Sequence, residues 1–209
     1  MINSILFDMD GVLINSEQFY SKRRKQFLRE KGIEEPAHTD LTGSNEKAIW
    51  KALVPNNENL RKTLQIEYKS YEHLYPIPYS KLINPQVNRL FMILKGKNYE
   101  LAIISSSPRT HIESMMKAAG IEKLVDYFIS GEDCKEQKPN PEIYTTALHK
   151  LNISSDEAYV VEDSVLGIEA AKRAGIYVFA LEPSDGTIID QSKADSTLKS
   201  LMDILKFLP

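Results

Sequence analysis

Asp8 and Asp10 flank a single methionine directly after the apolar run Ile5-Leu6-Phe7, and Gly11 follows them. A carboxylate is ionised at neutral pH, so it can attack phosphorus without a base to activate it, and the product of that step is an aspartyl-phosphate. A second acid two residues on can protonate the leaving oxygen and then deprotonate the attacking water. Three other segments carry matching chemistry. Ser105-Ser-Ser-Pro-Arg109 reads as a strand end feeding a helix, with Ser107 as the cap and Pro108 in the first turn. Free N–H groups at such a start, with hydroxyls beside them, form an oxyanion or phosphate site. Lys138, in a loop stiffened by Pro139 and Pro141, can supply balancing positive charge. Glu162 and Asp163 end the run Tyr159-Val160-Val161.

Carboxylates gathered in one cleft repel one another unless some are protonated or a cation sits among them. An all-oxygen donor set without His or Cys favours Mg²⁺ over zinc. Asp8 and Asp163, with Glu162 in support, are the metal candidates, and the backbone carbonyl of Asp10 is a further donor. The four histidines are scattered and form neither a metal cluster nor a triad.

These residues fall at the ends of short apolar runs, which decides whether they can meet. Ile5–Phe7, Leu101–Ile104, Tyr127–Ile129, Tyr159–Val161 and Ile176–Phe179 are rich in β-branched and aromatic residues, the pattern of strands buried on both faces. Helical patterns lie between them at His111–Ala119, Glu142–Leu151 and Val165–Ala174. The alternation predicts an α/β fold with a doubly wound parallel sheet, and ligands bind beyond the carboxyl ends of such strands. Residues 1–14 and 82–209 form this core. Residues 15–81 read as an inserted all-helical cap, with apolar stripes at Phe19, Tyr20, Phe27 and Leu28, at Ala48, Ile49, Ala52 and Leu53, and at Leu60, Leu64, Tyr68 and Tyr71. Trp50, Tyr68 and Tyr71 are expected in the cap core. Pro76, Pro78 and Pro85 mark the return linker.

Composition excludes several classes. The chain has 209 residues and a net charge of −3, so no overall basic field is present to hold nucleic acid. Lys22-Arg23-Arg24-Lys25 reads as a solvated helix face. No segment is apolar enough to span a bilayer, the N-terminus does not resemble a signal peptide, and a single cysteine, Cys134, suits a reducing compartment. A cytoplasmic protein without membrane or nucleic-acid partners is expected, as a monomer or weak dimer acting on a small phosphorylated molecule.

Each motif alone has a plainer reading as a turn, a helix cap, a surface loop or an acidic helix start. In order, at successive strand ends, they resemble the haloacid dehalogenase superfamily. Phe7-Asp-Met-Asp-Gly-Val12 is similar to its first signature, Ser105 to the second, Lys138-Pro-Asn-Pro-Glu-Ile143 to the lysine segment, and Val161-Glu-Asp-Ser-x-x-Gly167 to the acidic fourth. The likeness is greatest to the β-phosphoglucomutase-like phosphatases, which carry a helical cap. The resemblance implies Asp8 as nucleophile and Asp10 as general acid and base, with Asp8, Asp10, Glu162 and Asp163 around Mg²⁺. It implies Ser105, Ser106, Lys138 and Arg109 as phosphoryl contacts, with Thr42 and Gly43 in a specificity loop, Leu41–Asn45.

The sugar mutases of that group place a histidine at the position of Tyr20 and an arginine near Glu46. Asn15 stands for their usual acid, and Asn84-Pro85 for their Pro-Gly. Losing the cap arginine weakens the grip on a second phosphate, so hydrolysis of a sugar or polyol phosphate is expected over a phosphosugar mutase. A signalling receiver module would combine an acidic pair, a phospho-accepting Asp and a Lys, but it needs no lid of some 65 residues.

Overall fold

The computed structural model of the chain describes residues 2–34, 46–184 and 186–208. In chain order the elements are β1 (Ser4–Phe7), α1 (Glu17–Glu30), α2 (Glu46–Leu53), α3 (Glu58–Leu74), α4 (Tyr79–Leu82), α5 (Val87–Gly96), β2 (Glu100–Ser105), α6 (Arg109–Ala119), β3 (Tyr127–Ser130), α7 (Glu142–Leu151), β4 (Ala158–Glu162), α8 (Val165–Arg173), β5 (Tyr177–Leu181) and β6 (Ser196–Leu198). They divide into two compact units, one of residues Met1–Asn15 with Tyr79–Pro209, the other Ser16–Pro78.

The first unit is a six-stranded sheet in the order β3-β2-β1-β4-β5-β6, parallel at every pairing. Strand residues alternate between two cores because successive side chains point to opposite faces. Ile5, Phe7, Leu101, Ile103, Val161 and Phe179 pack with Val87, Leu90, Phe91 and Leu94 of α5 and Ile112, Met115 and Met116 of α6. On the other face Leu6, Ala102, Ile104, Val160 and Val178 pack with Ile143, Tyr144, Ala147 and Leu148 of α7 and Ile168, Ala170 and Ala171 of α8. The doubly wound sheet expected from the alternation is what forms. Each fully buried large apolar side chain contributes about 1.5–3 kcal/mol. The sixth strand, Ser-Thr-Leu, was not legible in the sequence: three residues, two of them polar, carry no periodicity.

Register fixes the active edge. Phe7 pairs with Ile103 on one side and Val161 on the other. The next residue of each strand is therefore Asp8, Ile104 and Glu162, level with one another, and the Asp8 N–H donates to the Val161 carbonyl at 2.9 Å.

The second unit buries Phe27 and Leu28 of α1, Ile49, Trp50 and Leu53 of α2, and Leu64, Tyr68 and Tyr71 of α3. Phe27 sits at its centre, edge-on to Trp50, Tyr68 and Tyr71 at ring separations of 6.2, 5.2 and 5.1 Å. Trp50, Tyr68 and Tyr71 are core residues, as their helical spacing predicts. The basic run corrects one expectation. Lys22 and Lys25 are exposed, but Arg23 is buried. Its guanidinium donates to the Tyr68 hydroxyl at 3.1 Å and the Tyr75 carbonyl at 3.1 Å, and pairs with Glu72. It also lies over the rings of Phe19, Tyr20 and Tyr68 at 5.2–5.5 Å. A four-residue basic run turns through a full helical revolution, so one of its members must face inward.

Candidate active site

Asp8, Asp10, Ser105, Lys138, Glu162 and Asp163 all lie on the carboxyl edge of the sheet or on the loops leaving it. Asp8 follows β1, is buried, and accepts from the Lys138 ammonium at 2.6 Å. The same ammonium donates to Glu162 Oε1 at 2.6 Å and approaches the Ile104 carbonyl at 3.4 Å. Carboxylate oxygens of Asp8, Glu162 and Asp163 come within 4.8 Å of one another, and all three residues are buried. Glu162 is fully enclosed. Its Oε1 also accepts from the Tyr144 hydroxyl at 2.9 Å, and its Oε2 accepts from the Asp163 N–H, the Ser164 N–H and the Ser164 hydroxyl at 3.1–3.2 Å.

Two glycines make this crowding possible. A Cβ on Gly167 would lie 1.8 Å from Glu162 Oε1. One on Gly11 would lie 1.8 Å from an Asp163 oxygen, and the positive φ of 85° at Gly11 is a further bar to other residues. The glycines of the first and fourth motifs therefore leave room for carboxylates that the other motif residues supply.

The loop carrying Lys138 is anchored along its length. Glu142 accepts from the N–H groups of Lys135 and Glu136, Gln137 donates to the Gly131 carbonyl, and Arg173 donates to the Pro139 carbonyl. The peptide between Lys138 and Pro139 is cis.

Ser107 departs from its expected role. It does not cap α6, whose N-cap position is Pro108. Its hydroxyl donates to Asp10 at 2.7 Å, its N–H donates to the Ser105 hydroxyl at 3.0 Å, and its carbonyl accepts from the buried Ser130 hydroxyl at 2.7 Å. The fixed loop presents Ser105 and Ser107 together beside Asp10, while Ser106 is exposed. The Arg109 N–H at the helix start is already taken by Glu132. Arg109 itself is directed elsewhere. Its guanidinium pairs with Asp133 at 2.7 Å and lies 4.8 Å over the Phe128 ring, because Asp133, capping the turn after β3, offers the nearer charge. Thr42, Gly43 and the rest of Leu41–Asn45 lie outside the described residues.

Two contributors were missed. Tyr144 was hidden in the apolar stripe of α7, although a tyrosine at a fully buried helical position must find a partner for its hydroxyl. Gln191 spends both amide protons on the carbonyls of Asp163, at 2.7 Å, and Leu181, at 2.9 Å. It sits in a connecting segment after β5, where no local pattern marks it.

Electrostatics sharpen the picture. Burial pushes the Asp8 carboxyl well above its ordinary range, Lys138 opposes this, and the charges of Glu162 and Asp10 add to it. Burial works against the Lys138 charge, but Asp8 and Glu162 outweigh it and the pKa is raised well above the usual lysine value. Burial, then the adjacent Glu162 charge, raise Tyr144, so its hydroxyl remains a donor. Asp8 and Glu162 thus share one ammonium, with the buried Asp163 carboxylate close to both. The surplus negative charge, on oxygen donors alone, fits a hard divalent cation, whose charge would return Asp8 to its ionised form.

The sequence model of the haloacid dehalogenase-like hydrolases matches residues 5–181. The chain is 30% identical to a phosphorylated carbohydrates phosphatase of Thermotoga maritima, over 98% of this chain and 99% of the relative. It is 31% identical to the validoxylamine A 7'-phosphate phosphatase of Streptomyces hygroscopicus subsp. limoneus, over 98% and 96%. Among solved structures, a β-phosphoglucomutase from Clostridium difficile superposes with a TM-score of 0.76 at 21% identity, covering 96% of this chain and 92% of that one, a likeness of fold.

Proposed function

We propose, from the premise that this chain belongs to the haloacid dehalogenase-like hydrolases, that it is a Mg²⁺-dependent phosphatase of a small phosphorylated carbohydrate or polyol. The observation that carries this reading is Asp8, buried at a strand end, 2.6 Å from Lys138 and beside the Glu162–Asp163 pair. The substrate class rests on the two relatives that span essentially the same length and act on phosphorylated carbohydrate and on a 7'-phosphate.

In this reading Asp8 attacks phosphorus, the bond to the alcohol oxygen breaks, and Asp10 delivers its proton to that oxygen. Asp10 then removes a proton from water as the water opens the aspartyl-phosphate, releasing inorganic phosphate and restoring Asp8. Ser107 donates to one oxygen of Asp10 and so orients its carboxyl group from one side. Lys138 and Ser105 bind the equatorial oxygens of the transferring group. Asp8 and Asp163 would hold Mg²⁺, with Asp10 adjacent through its carbonyl; when bound, the ion neutralises charge on the phosphoryl group. Among the described residues no helix is long and apolar enough to cross a membrane.

The test is phosphate release from p-nitrophenyl phosphate and a panel of sugar and polyol phosphates, with Mg²⁺ and with EDTA. Release is expected only with Mg²⁺, and Asp8→Asn is expected to lower turnover at least about 10³-fold while leaving the circular dichroism spectrum unchanged. Turnover that survives Asp8→Asn rejects the nucleophile, and isomerisation of β-glucose 1-phosphate would replace hydrolysis by mutase activity.

A further inference from the structure

We propose that the outer face of α1 is a second binding site, a groove in which Lys22, Lys25 and Arg29 take a compact polyanion carrying two or more phosphoryl groups.

Charge is divided unevenly between the two units. Residues Ser16–Pro78 carry 11 Lys and Arg against 9 Asp and Glu, a net of +2. The whole chain has 26 against 29, which leaves the other unit 15 against 20, a net of −5. A polyanion is therefore repelled by one unit and drawn to the other. Within the helical unit the excess is concentrated on α1, which holds Lys22, Arg23, Arg24, Lys25 and Arg29 against Glu17 and Glu30. Arg23 is buried and matched by Glu72. Lys22, Lys25 and Arg29 are exposed and fall at i, i+3 and i+7, which places them on one face in a row about 10 Å long.

Their neighbours separate this row from an ordinary solvated face. Elsewhere exposed cations pair with an acid one turn away: Lys62 with Glu58, Arg173 with Glu169, Lys206 with Asp203. On α1 the residues one turn apart are of like sign. Lys22 and Lys25 are three positions apart, Lys25 and Arg29 four, and like charges at that spacing destabilise a helix. Gln18 and Gln26 stand four residues either side of Lys22, where acids would offset it. Lys22 and Arg29 form no ion pair among the described residues. The three cations, with Gln26 and Glu30, line a groove of about 500 Å³. Glu30 is drawn off toward the core of its own unit, where its Oε1 accepts from the buried Tyr71 hydroxyl at 2.9 Å and from the Gln26 amide at 3.0 Å.

Volume and charge together specify the ligand. Sites for small molecules run from about 300 to 1,000 Å³, so the groove has room for a metabolite. Three cations spread over about 10 Å exceed what one phosphate balances and match a short chain of phosphoryl groups. Such a ligand turns the repulsion along the row into attraction, and because the groove is open to solvent, salt weakens the gain.

The test is isothermal titration calorimetry with inorganic tripolyphosphate in metal-free, low-salt buffer, where hydrolysis through a Mg²⁺ site is suspended. Wild-type protein should bind it, and affinity should fall at least about tenfold when salt rises from about 0.02 to 0.2 M. Lys22→Gln combined with Arg29→Gln should weaken binding at least about tenfold, while turnover of p-nitrophenyl phosphate in Mg²⁺ stays within about twofold of wild type. Lys62→Gln combined with Lys206→Gln removes the same charge from paired surface sites and should leave the affinity within about twofold. Unchanged affinity in the α1 variant, or an equal loss in the control variant, overturns the proposal. So does inorganic phosphate bound as tightly as tripolyphosphate, which would reduce the groove to a site for an adventitious ion only. Binding of heparin without binding of tripolyphosphate overturns it too, by making the face a dock for an extended polymer. Each of these failures leaves the phosphatase reading standing, because none of them is measured at the carboxyl edge of the sheet.

Discussion

Among the described residues each unit of this chain buries one cation, and the two are balanced in opposite ways. In the helical unit Arg23 meets a single carboxylate, Glu72, together with two oxygen acceptors and three aromatic faces. Charge there sums to zero and the fork of guanidinium donors is well supplied with partners. In the α/β unit Lys138 is shared by Asp8 and Glu162, with Asp163 close by, so negative charge is left over. A balanced cluster has completed its work when the protein folds. An unbalanced one holds a capacity to bind, and the imbalance marks a site for chemistry better than burial or hydrogen-bond density, which the two clusters share.

The comparison can be broken by measuring stability. Arg23→Met leaves the Tyr68 hydroxyl, the Tyr75 carbonyl and the partly exposed Glu72 without their donor, and should cost about 3 kcal/mol in chemical denaturation. A loss under about 1 kcal/mol would mean that Arg23 is incidental. Asp163→Asn should act with the opposite sign. In Mg²⁺-free buffer it removes a buried acid from a cluster that already carries surplus negative charge and should stabilise by about 1 kcal/mol, or a rise of about 2–4 °C in Tm for a chain of this size. The gain should vanish at saturating Mg²⁺, because the wild-type protein alone is then strengthened. Destabilisation by Asp163→Asn without Mg²⁺ would show that the charges at the edge are already balanced. Glu67→Gln, at the exposed Lys31–Glu67 pair, should shift Tm by less than about 1 °C and serves as the control for charge removal alone.

The contrast also shows which features could be read from sequence. Asp8, Glu162 and Asp163 are legible because each ends an apolar run, and a parallel sheet sends all such ends to one edge. The doubly wound sheet is legible for the same reason. Arg23 is not, since a basic run on an amphipathic helix looks solvated until the partner helix supplies Glu72 and the rings. Ser107 shows the limit within a motif. Its spacing ahead of α6 suits a cap, and only the tertiary approach of the β1 and β2 loops reveals that its hydroxyl goes to Asp10. Arg109 shows a related limit, because its pairing with Asp133 is set by a turn more than twenty residues away. Gln191 and β6 carry no local periodicity at all.

The central place of β1 has a consequence for synthesis. Ser4 to Phe7 pair on one side with residues from Glu100 onward and on the other with residues from Ala158 onward. β1 is thus flanked by partners made much later than itself, and long-range pairing of this kind is slow to form. Asp8 is made well before β4, and its surroundings cannot close until β4 follows. Until then the apolar run before it stays open to other partners, and this interval exposes the nascent chain to misassociation.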